Sequence, residues 1–530
     1  MGRISEERAK VEFGDFQTPP GLAAETCALL VRLGVNPTSI IEPTCGVGNF
    51  LFAAADAFPN ALSVEGLDIN EEYVATVQAR LRERADASRI RVEHANFFET
   101  EWPQRLEHVP DPLLVVGNPP WVTSSDLGYL KSHNIPTKEN FHGRSGLDAL
   151  TGKSNFDISE WMLLKLLGWL DGRRGTVAML CKTAVARKAL SYSWAQGLRI
   201  ASSSLRQVNA VKHFGASVDA CLFLVQFGEA AGDQVCFVYD TVDAAEPASV
   251  FGLRDGVLVA DAAHYDKRKS LCGESQYQWR SGVKHDCAAI MELRRAATGY
   301  ENAEGEPVEI EETFLFPMLK SSDVAREHPE PRRWMVVPQE RVGQDTAHIA
   351  RVAPKTWGYL TAHEERFNQR ASSIYRGKPK FSIFGVGDYT FAPWKVAISG
   401  LYKKLEFRLI GPHEGKPVVL DDTCYFVACG SEAEARFLLG LLESEEAREF
   451  YSAFIFWDAK RPITVDLLRR LDLRRLADLR GAAAEFDRHR ASIPVTGVSS
   501  GEASRAGSIQ GALPLHIGAA PPKRRKRITT

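Results

Sequence analysis

The chain has 530 residues, of which 44% are hydrophobic and 25% are charged, and its formal net charge is −2. This composition predicts a globular protein long enough for two large domains. Nine cysteines without a C-x-x-C pair exclude a disulfide scaffold, predict no metal site and suit a reducing cytoplasm. No run of about 18 apolar residues is available to span a membrane, and the polar amino terminus lacks the pattern of a signal peptide.

Short apolar strands alternate with helical patterns through the first half of the chain. The predicted strands are Ser39 to Ile41, Leu62 to Leu67, Leu113 to Val116, Gly175 to Leu180, His213-Phe214, Ala220 to Phe227 and Val235 to Tyr239, the last of which could close an antiparallel hairpin. Apolar runs of this length, bounded by turn residues, are typical of buried strands. The alternation predicts an α/β fold, in which ligands bind at the carboxyl ends of the strands.

A glycine-containing loop follows the first of these strands. It consists of Glu42-Pro43-Thr44-Cys45-Gly46-Val47-Gly48 and precedes a helical pattern, so the backbone can approach a ligand closely at a helix amino terminus. The second strand leads into Asp68, 20 residues beyond Gly48, where a carboxylate can accept hydrogen bonds from ribose hydroxyls. These features predict a nucleoside-containing cofactor. A dinucleotide is the rival, but Leu51 stands where its fingerprint has a third glycine.

The tetrapeptide Asn118-Pro119-Pro120-Trp121 follows the third strand after a single glycine. Proline has no backbone N–H, so this stiff loop offers carbonyl oxygens that only accept hydrogen bonds, and Asn118 adds a side-chain acceptor. Two acceptors suit the two hydrogens of a planar amine, and the flat ring of Trp121 suits stacking. A proline-rich turn carrying a core tryptophan is the alternative that the tetrapeptide alone leaves open.

Together with Phe13-Gly14-Asp15-Phe16-Gln17-Thr18-Pro19-Pro20, these motifs stand in the order of the amino DNA methyltransferases of the gamma arrangement, which the chain resembles. The resemblance implies a Rossmann-like, mostly parallel sheet of seven strands with a reversed end strand, and S-adenosyl-L-methionine as cofactor. It assigns cofactor contacts to Thr18, Glu42, Pro43, Thr44, Cys45, Gly46, Gly48, Asp68, Ile69, Asn96, Phe97 and Pro120. Asn96 stands where the family usually has Asp, and Phe97 is either an adenine-stacking wall or a core aromatic.

The activity that the resemblance implies is methyl transfer to the N6 amino group of adenine in double-stranded DNA, in a restriction-modification or phage-defence context. The adenine must first be flipped out of the duplex. Asn118 and Pro119 would then accept hydrogen bonds from its amine, while Trp121 stacks on its ring. Pro120 would face the cofactor. Phe214 is more typical of a core aromatic, with a second contact to the base as the alternative.

Three alternatives to adenine methylation remain open at this point. Cytosine N4 methylation is the nearest, although in the family Asn at the position of Asn118 goes with adenine and Ser with cytosine. Methylation of RNA or of a protein glutamine uses a similar loop in shorter enzymes. A DNA-binding subunit without activity is the third, and an intact cofactor loop argues against it.

A basic segment rich in aromatic residues lies between Arg351 and Ile410. It holds eleven Lys and Arg against four Asp and Glu, which suits phosphate contact and base reading, although a solvated charged face is the alternative. Within it, Phe381 to Ile398 is predicted to form two strands joined by a glycine-rich connection. The candidate DNA contacts are Phe214, Arg376, Lys378, Lys380, Tyr389, Trp394 and Lys395.

The predicted domains are a catalytic domain over 1–275, a mixed α+β target recognition domain over 276–485 and a disordered basic tail over 486–530. Residues 146–154 end in Gly-Lys-Ser but are not a phosphate-binding loop, because five residues rather than four separate the glycines. We expect a cytoplasmic monomer or weak dimer that acts on double-stranded DNA. Any restriction nuclease of the same system should be a separate chain.

Overall fold

A computed structural model describes residues 17–122, 157–459 and 461–491. The chain divides into two compact units, one ending at Ala262 and the other beginning at Ala263. The sequence analysis placed this boundary at residue 275. Part of the predicted amino-terminal motif, 13–16, and the tail from 492 onward lie outside the described residues.

The first unit is built on one ten-stranded sheet. Its strands are β1 (Ser39–Glu42), β2 (Ser63–Asp68), β3 (Ile90–His94), β4 (Leu113–Gly117), β5 (Gly175–Lys182), β6 (Ile200–Val208), β7 (Ala220–Phe227), β8 (Val235–Tyr239), β9 (Ser249–Arg254) and β10 (Val257–Val259). The α-helices described in this unit are α1 (Pro20–Arg32), α2 (Asn49–Ala57), α3 (Glu71–Leu81), α4 (Trp102–Glu107), α5 (Ile158–Leu170), α6 (Thr183–Ala195) and α7 (Ala210–Phe214). The strand predicted at His213-Phe214 is wrong, because these residues end α7, which Asn209 caps by accepting from the Lys212 amide. Strand β8 pairs in parallel with β6 and antiparallel with β9.

The strand order is β10-β9-β8-β6-β7-β5-β4-β1-β2-β3. Neighbours from β3 to β5 are parallel, and β7 is antiparallel to both β5 and β6. The predicted Rossmann-like, mostly parallel α/β sheet is confirmed. It has ten strands rather than seven, because β8, β9 and β10 extend it beyond β6, and the reversed strand β7 lies inside the sheet rather than at its end.

Burial on both faces explains the apolar runs of the central strands. Every residue of β4 is buried, and Leu114 and Val116 share one hydrophobic cluster with Ala178 and Leu180 of β5. Strands covered on both faces are near-continuously hydrophobic, whereas half-buried strands alternate. Since β1 to β4 are parallel, their carboxyl ends meet at one edge of the sheet, where the site described below lies.

The second unit contains a four-stranded and a six-stranded sheet. The strands are β11 (Arg280–Ser281), β12 (Glu292–Arg295), β13 (Tyr300–Glu301), β14 (Pro307–Val308), β15 (Leu315–Leu319), β16 (Arg333–Val336), β17 (Trp394–Ser399), β18 (Phe407–Ile410), β19 (Val419–Leu420) and β20 (Cys424–Cys429). The four-stranded order is β11-β20-β17-β18, and the six-stranded order is β14-β13-β12-β16-β15-β19.

Helices accompany these strands, including a group at the end of the described chain. They are α8 (Ala262–Arg268), which begins at the unit boundary, α9 (Ala288–Met291), α10 (Ser321–Val324), α11 (Ile349–Val352), α12 (Pro354–Ala362), α13 (Glu364–Asn368), α14 (Glu432–Leu442), α15 (Glu445–Ser452), α16 (Val465–Leu468), α17 (Leu473–Leu479) and α18 (Ala483–Ala491). Helix α18 runs past residue 485, where the disordered tail was predicted to begin.

Of the two strands predicted over Phe381 to Ile398, the structure contains one. The second is β17, but the first is an irregular segment in which Phe384 makes a single bridge to Lys284. The chain turns away after this segment at Gly385, whose backbone has a φ of +69° and where a Cβ would lie 2.3 Å from the carbonyl oxygen of Gly282. A strand residue with a side chain could adopt neither the dihedral angle nor the approach.

Candidate active site at the ends of the parallel strands

An open pocket of about 810 Å³ lies where the first four parallel strands end. Glu42 ends β1 and Asp68 ends β2, while Ala95 follows β3 and Asn118 follows β4. The lining residues are Gln17, Thr18, Glu42, Pro43, Thr44, Cys45, Gly46, Asn49, Phe50, Asp68, Ile69, Asn70, Tyr73, Ala95, Phe97, Phe98, Asn118, Pro120 and Met162. The structure therefore brings together motifs that lie far apart in the sequence.

Asp68 shapes the floor of the pocket through both carboxylate oxygens. Oδ2 accepts a hydrogen bond from the Gly46 amide at 2.7 Å, and Oδ1 accepts one from the Asn70 amide at 2.8 Å. Gly46 has a φ of +51°, and a Cβ there would lie 2.4 Å from the Gln17 side chain. Because a carboxylate has about four lone-pair sites, Asp68 can accept further bonds from a ligand.

Glu42 is buried at the back of the pocket, with a relative exposure of 3%. Its Oε2 atom has no hydrogen-bond partner among the described residues. Burial, and secondarily the nearby Asp68 carboxylate, raises the pKa of Glu42 well above its ordinary value. A buried carboxyl oxygen without a partner is costly, so a cationic ligand group beside it would remove this cost.

Phe97 forms an aromatic wall of the pocket and is held by its neighbours. Its ring centroid lies 5.2 Å from that of Trp102 and 5.7 Å from that of Trp169, and the Trp102 indole donates to the Phe97 carbonyl at 2.8 Å. Phe97 is thus both a pocket residue and a core aromatic, which were alternatives in the sequence. Asn96 does not line the pocket, because its Oδ1 accepts from the Phe98 amide at 2.9 Å.

Gly48, also predicted to contact the cofactor, does not line the pocket either. It is the residue before α2 and has a φ of +82°, and a Cβ there would lie 2.9 Å from Val77 and 3.0 Å from Phe52. Its role in the structure is to turn the chain into α2 in a crowded position.

The tetrapeptide is only partly exposed to the pocket. Asn118 and Pro120 line it, whereas Pro119 is buried and Trp121 is 6% exposed. The Trp121 ring packs edge to face against Phe214, with centroids 5.1 Å apart, and belongs to the main hydrophobic cluster of the first unit. From the sequence, Trp121 was predicted to stack on the base; in the structure, the core covers most of its ring.

Several pocket residues were not predicted from the sequence. Three of them are immediate neighbours of predicted positions: Gln17, Asn49 and Asn70. Asn70 could have been found as a helix cap, because its side chain accepts from the amides of Glu72 and Tyr73 at the start of α3. Tyr73 and Met162 come from α3 and α5. Nothing in their local sequence marks them, since packing of the helices alone places them at the pocket.

The predicted DNA contacts of the second unit differ in exposure. Arg376, Lys378 and Lys380 are exposed. Lys380 forms an ion pair with Glu364 at 2.8 Å, whereas Arg376 and Lys378 form none within the described part of the chain. Tyr389 is half-buried, with the Arg280 guanidinium 4.6 Å from its ring centroid.

Lys395 is a wrong prediction as a DNA contact. It is 1% exposed in β17, and its Nζ donates to the Ala392 carbonyl at 2.6 Å. Burial lowers the pKa of Lys395 to about 7. Trp394, its neighbour, packs against the hydrophobic cluster of the second unit and lies so close to Gly411 that a Cβ there would be 2.6 Å from its ring. The charge of Lys395 suggested a DNA contact because burial is not visible in composition, whereas Trp394 is only partly buried and stays a prediction.

No group of three or more metal-ligating side chains is found in the described ranges. None of the helices in those ranges has the length and apolar character needed to cross a bilayer.

A Rossmann-like sheet with an inserted antiparallel strand, a glycine loop and an acid at the next strand end defines a methyltransferase that uses S-adenosyl-L-methionine. The type IIL restriction-modification enzyme MmeI, solved in complex with DNA, shares the fold over 92% of this chain and 69% of its own, with a TM-score of 0.52 and 14% identity. Type II methyltransferase M.NspV of Nostoc sp. is 45% identical over 473 residues, covering 89% of this chain and 98% of the relative. The chain belongs to the type II methyltransferases.

A shorter similarity reaches type II methyltransferase M.VspI of Vibrio sp., 28% identical over 115 residues, which covers 22% of this chain and 27% of that protein. No family model matches the chain. The relationship therefore rests on whole-chain similarity to M.NspV, and it leaves the methylated base to be argued from the site.

Proposed function

We propose that this protein is a site-specific DNA methyltransferase that transfers a methyl group to the N6 amino group of a flipped adenine in double-stranded DNA. The observation that carries the proposal is the position of Asn118-Pro119-Pro120-Trp121 at the carboxyl end of β4, with Asn118 and Pro120 lining the pocket. The rest of the pocket suits the cofactor, so the tetrapeptide marks where the acceptor amine must lie.

The residues present fit S-adenosyl-L-methionine. Its ammonium group would meet the buried Glu42 carboxyl, whose Oε2 lacks a partner in the described structure. Its ribose hydroxyls would donate to the Asp68 carboxylate, and its adenine would lie between Ile69 and Phe97. Gly46 lets the loop approach Gln17 closely because it has no side chain.

The bound cofactor supplies an already activated methyl group on a sulfonium sulfur. The protein must then orient the acceptor, which is an amine whose lone pair is delocalised into the base. Asn118 Oδ1 and the Pro119 carbonyl would accept its two hydrogens, drawing them from the ring plane and restoring the nucleophilic lone pair. Orientation of this kind is worth several kcal/mol, about 7–11 in well-aligned intramolecular reactions.

Phe214 and Trp121 would contact the flipped base. Their rings lie edge to face, and Phe214 is half-buried while Trp121 is 6% exposed, so Phe214 presents the more accessible ring. Stacking on an aromatic face returns about 1–3 kcal/mol, which offsets the cost of extracting the base from the duplex.

The second unit would contribute DNA contacts. Its exposed cations Arg376 and Lys378 are available for phosphates, because neither forms an ion pair in the described ranges. In the loop between β17 and β18, Tyr402 and Lys403 are also exposed, and Lys403 belongs to the basic segment identified from the sequence. Lys395 has no place in this proposal, since it is buried.

Removing the charges of Arg376 and Lys378 should change the salt dependence of DNA binding. For the double variant Arg376→Ala and Lys378→Ala, we expect a slope of log K against log salt that is shallower by about 2, at about 0.9 for each phosphate contact. The matched control is Lys355→Ala, because Lys355 is exposed but already paired with Glu309. An unchanged slope in the double variant would exclude these residues from the DNA interface.

The decisive test of the proposed function is to identify the methylated product. Purified protein, S-adenosyl-L-methionine and unmodified genomic DNA should yield N6-methyladenine at one short sequence, detected by nucleoside analysis and single-molecule sequencing. N4-methylcytosine instead would overturn the choice of base. Methylation only of RNA or protein, or of nothing, would overturn the proposal as a whole.

In a cell the proposed substrate is chromosomal DNA, so we place the protein in the bacterial cytoplasm. Its methylation would protect recognition sites from a restriction nuclease encoded as a separate chain. A monomer or weak dimer suffices, because both the cofactor pocket and the tetrapeptide are built from one chain.

A further inference from the structure

A lysine joins the end of the tetrapeptide to two neighbouring elements. Lys182, the last residue of β5, donates from Nζ to the Trp121 carbonyl at 3.1 Å and to Asp157 Oδ2 at 2.5 Å. Asp157 is 8% exposed and caps α5, where its Oδ1 accepts from the Ser159 amide at 3.1 Å and the Ser159 hydroxyl at 2.5 Å. One ammonium group therefore ties together β5, the last carbonyl of the tetrapeptide and the start of α5.

Two prolines limit how the tetrapeptide can be held in place. Pro119 and Pro120 have no N–H, so these two residues can be fixed only through their carbonyl oxygens and ring contacts. The Thr44 hydroxyl donates to the Asn118 carbonyl at 3.5 Å, and the Trp121 indole donates to the Leu180 carbonyl at 3.4 Å. Both bonds are longer than the bond from Lys182, which is also charge-assisted and therefore stronger.

We propose that Lys182, held by Asp157, is a positioning residue that fixes the tetrapeptide in the conformation required for methyl transfer. The inference rests on the proposed function of the tetrapeptide. Lys182 does not line the pocket, so it acts through the Trp121 carbonyl rather than on a reacting atom. The amine acceptors Asn118 and Pro119 lie three and two residues before that carbonyl, and a shift of its position moves them.

The test compares Lys182→Met with Lys182→Arg. We expect kcat for DNA methylation to fall roughly 10- to 100-fold in Lys182→Met, because a misplacement of about 1 Å can cost 100-fold in rate. The Kd of S-adenosyl-L-methionine should stay within about twofold, since the cofactor contacts are untouched. Lys182→Arg keeps a charged donor and should restore most of kcat. A second variant, Asp157→Asn, keeps the cap oxygen, removes the charge and should lower kcat in the same direction.

The matched control is Arg173→Met. Arg173 pairs with Asp111 at 2.7 Å at the opposite ends of the same two strands, just before β5 and β4. The Arg173→Met variant removes an ion pair that does not contact the tetrapeptide. Even if it lowers the melting temperature as much as Lys182→Met does, its kcat should stay near the wild-type value. Equal losses of kcat in both variants, or an unchanged kcat in Lys182→Met, would overturn the inference.

Two further outcomes are decisive. If Lys182→Met does not fold, wild-type kcat in Asp157→Asn overturns the inference and a selective loss of kcat supports it. If the wild-type protein methylates no DNA, the proposed function fails, which is distinct from failure of the role of Lys182. Each result is read against wild-type turnover measured in the same assay.

Discussion

Replacing Asn118 with alanine is expected to abolish methyl transfer while leaving S-adenosyl-L-methionine binding measurable. The substitution removes the amide oxygen that would accept from the adenine amine, but it keeps the backbone carbonyl that accepts from Thr44. Loss of one preorganised hydrogen-bonding group at a reacting centre costs about 10²- to 10³-fold in rate. The measurement is methyl incorporation into DNA from labelled cofactor, together with calorimetric cofactor binding.

Asn60→Ala is the control for this substitution, because Asn60 is exposed and lies outside the pocket. It should keep wild-type turnover. Near wild-type turnover in Asn118→Ala would remove the tetrapeptide from the mechanism, whatever the cofactor affinity. Loss of cofactor binding as well as turnover would show instead that Asn118 holds the pocket together.

The fold of the first unit was predictable because its signals are local. The bounds predicted for β7 and β8, Ala220 to Phe227 and Val235 to Tyr239, agree with the structure to the residue. The strand order was not predictable from local signals, because pairing joins residues far apart in sequence. The parallel pairing of β8 with β6, and the continuation of the sheet through β9 and β10, left no trace in local composition.

The pocket shows the same division between local and distant signals. The loop from Glu42 to Gly48 was predictable as a unit, since its glycines and its position after a strand are contiguous in sequence. Met162 reaches the pocket only because α5 packs against the sheet. Lys395 shows the opposite error, since a lysine among aromatic residues suggests DNA, yet β17 buries it between apolar neighbours.

The second large effect is expected from Asp68→Ala, which should weaken S-adenosyl-L-methionine binding by about 10- to 100-fold. Asp68 has two tasks, since its oxygens accept from the Gly46 and Asn70 amides at 2.7 and 2.8 Å and would also accept from the ribose. A hydrogen bond to a charged group contributes about 1.5–3 kcal/mol, and 1.4 kcal/mol is tenfold in Kd. Equilibrium cofactor binding to purified protein measures the change.

Asp171→Ala is the control, because it also removes a carboxylate that accepts a hydrogen bond from a backbone amide. Asp171 accepts from the Arg199 amide at 2.9 Å in the same unit but lies outside the pocket, so its variant should bind the cofactor normally. Asp68→Asn retains one oxygen acceptor and should fall between wild type and Asp68→Ala. Asp68 also orders the loop through Gly46. Its loss should therefore raise the KM for the cofactor by a larger factor than it lowers kcat. A fall in kcat alone would move Asp68 from cofactor binding to the chemical step.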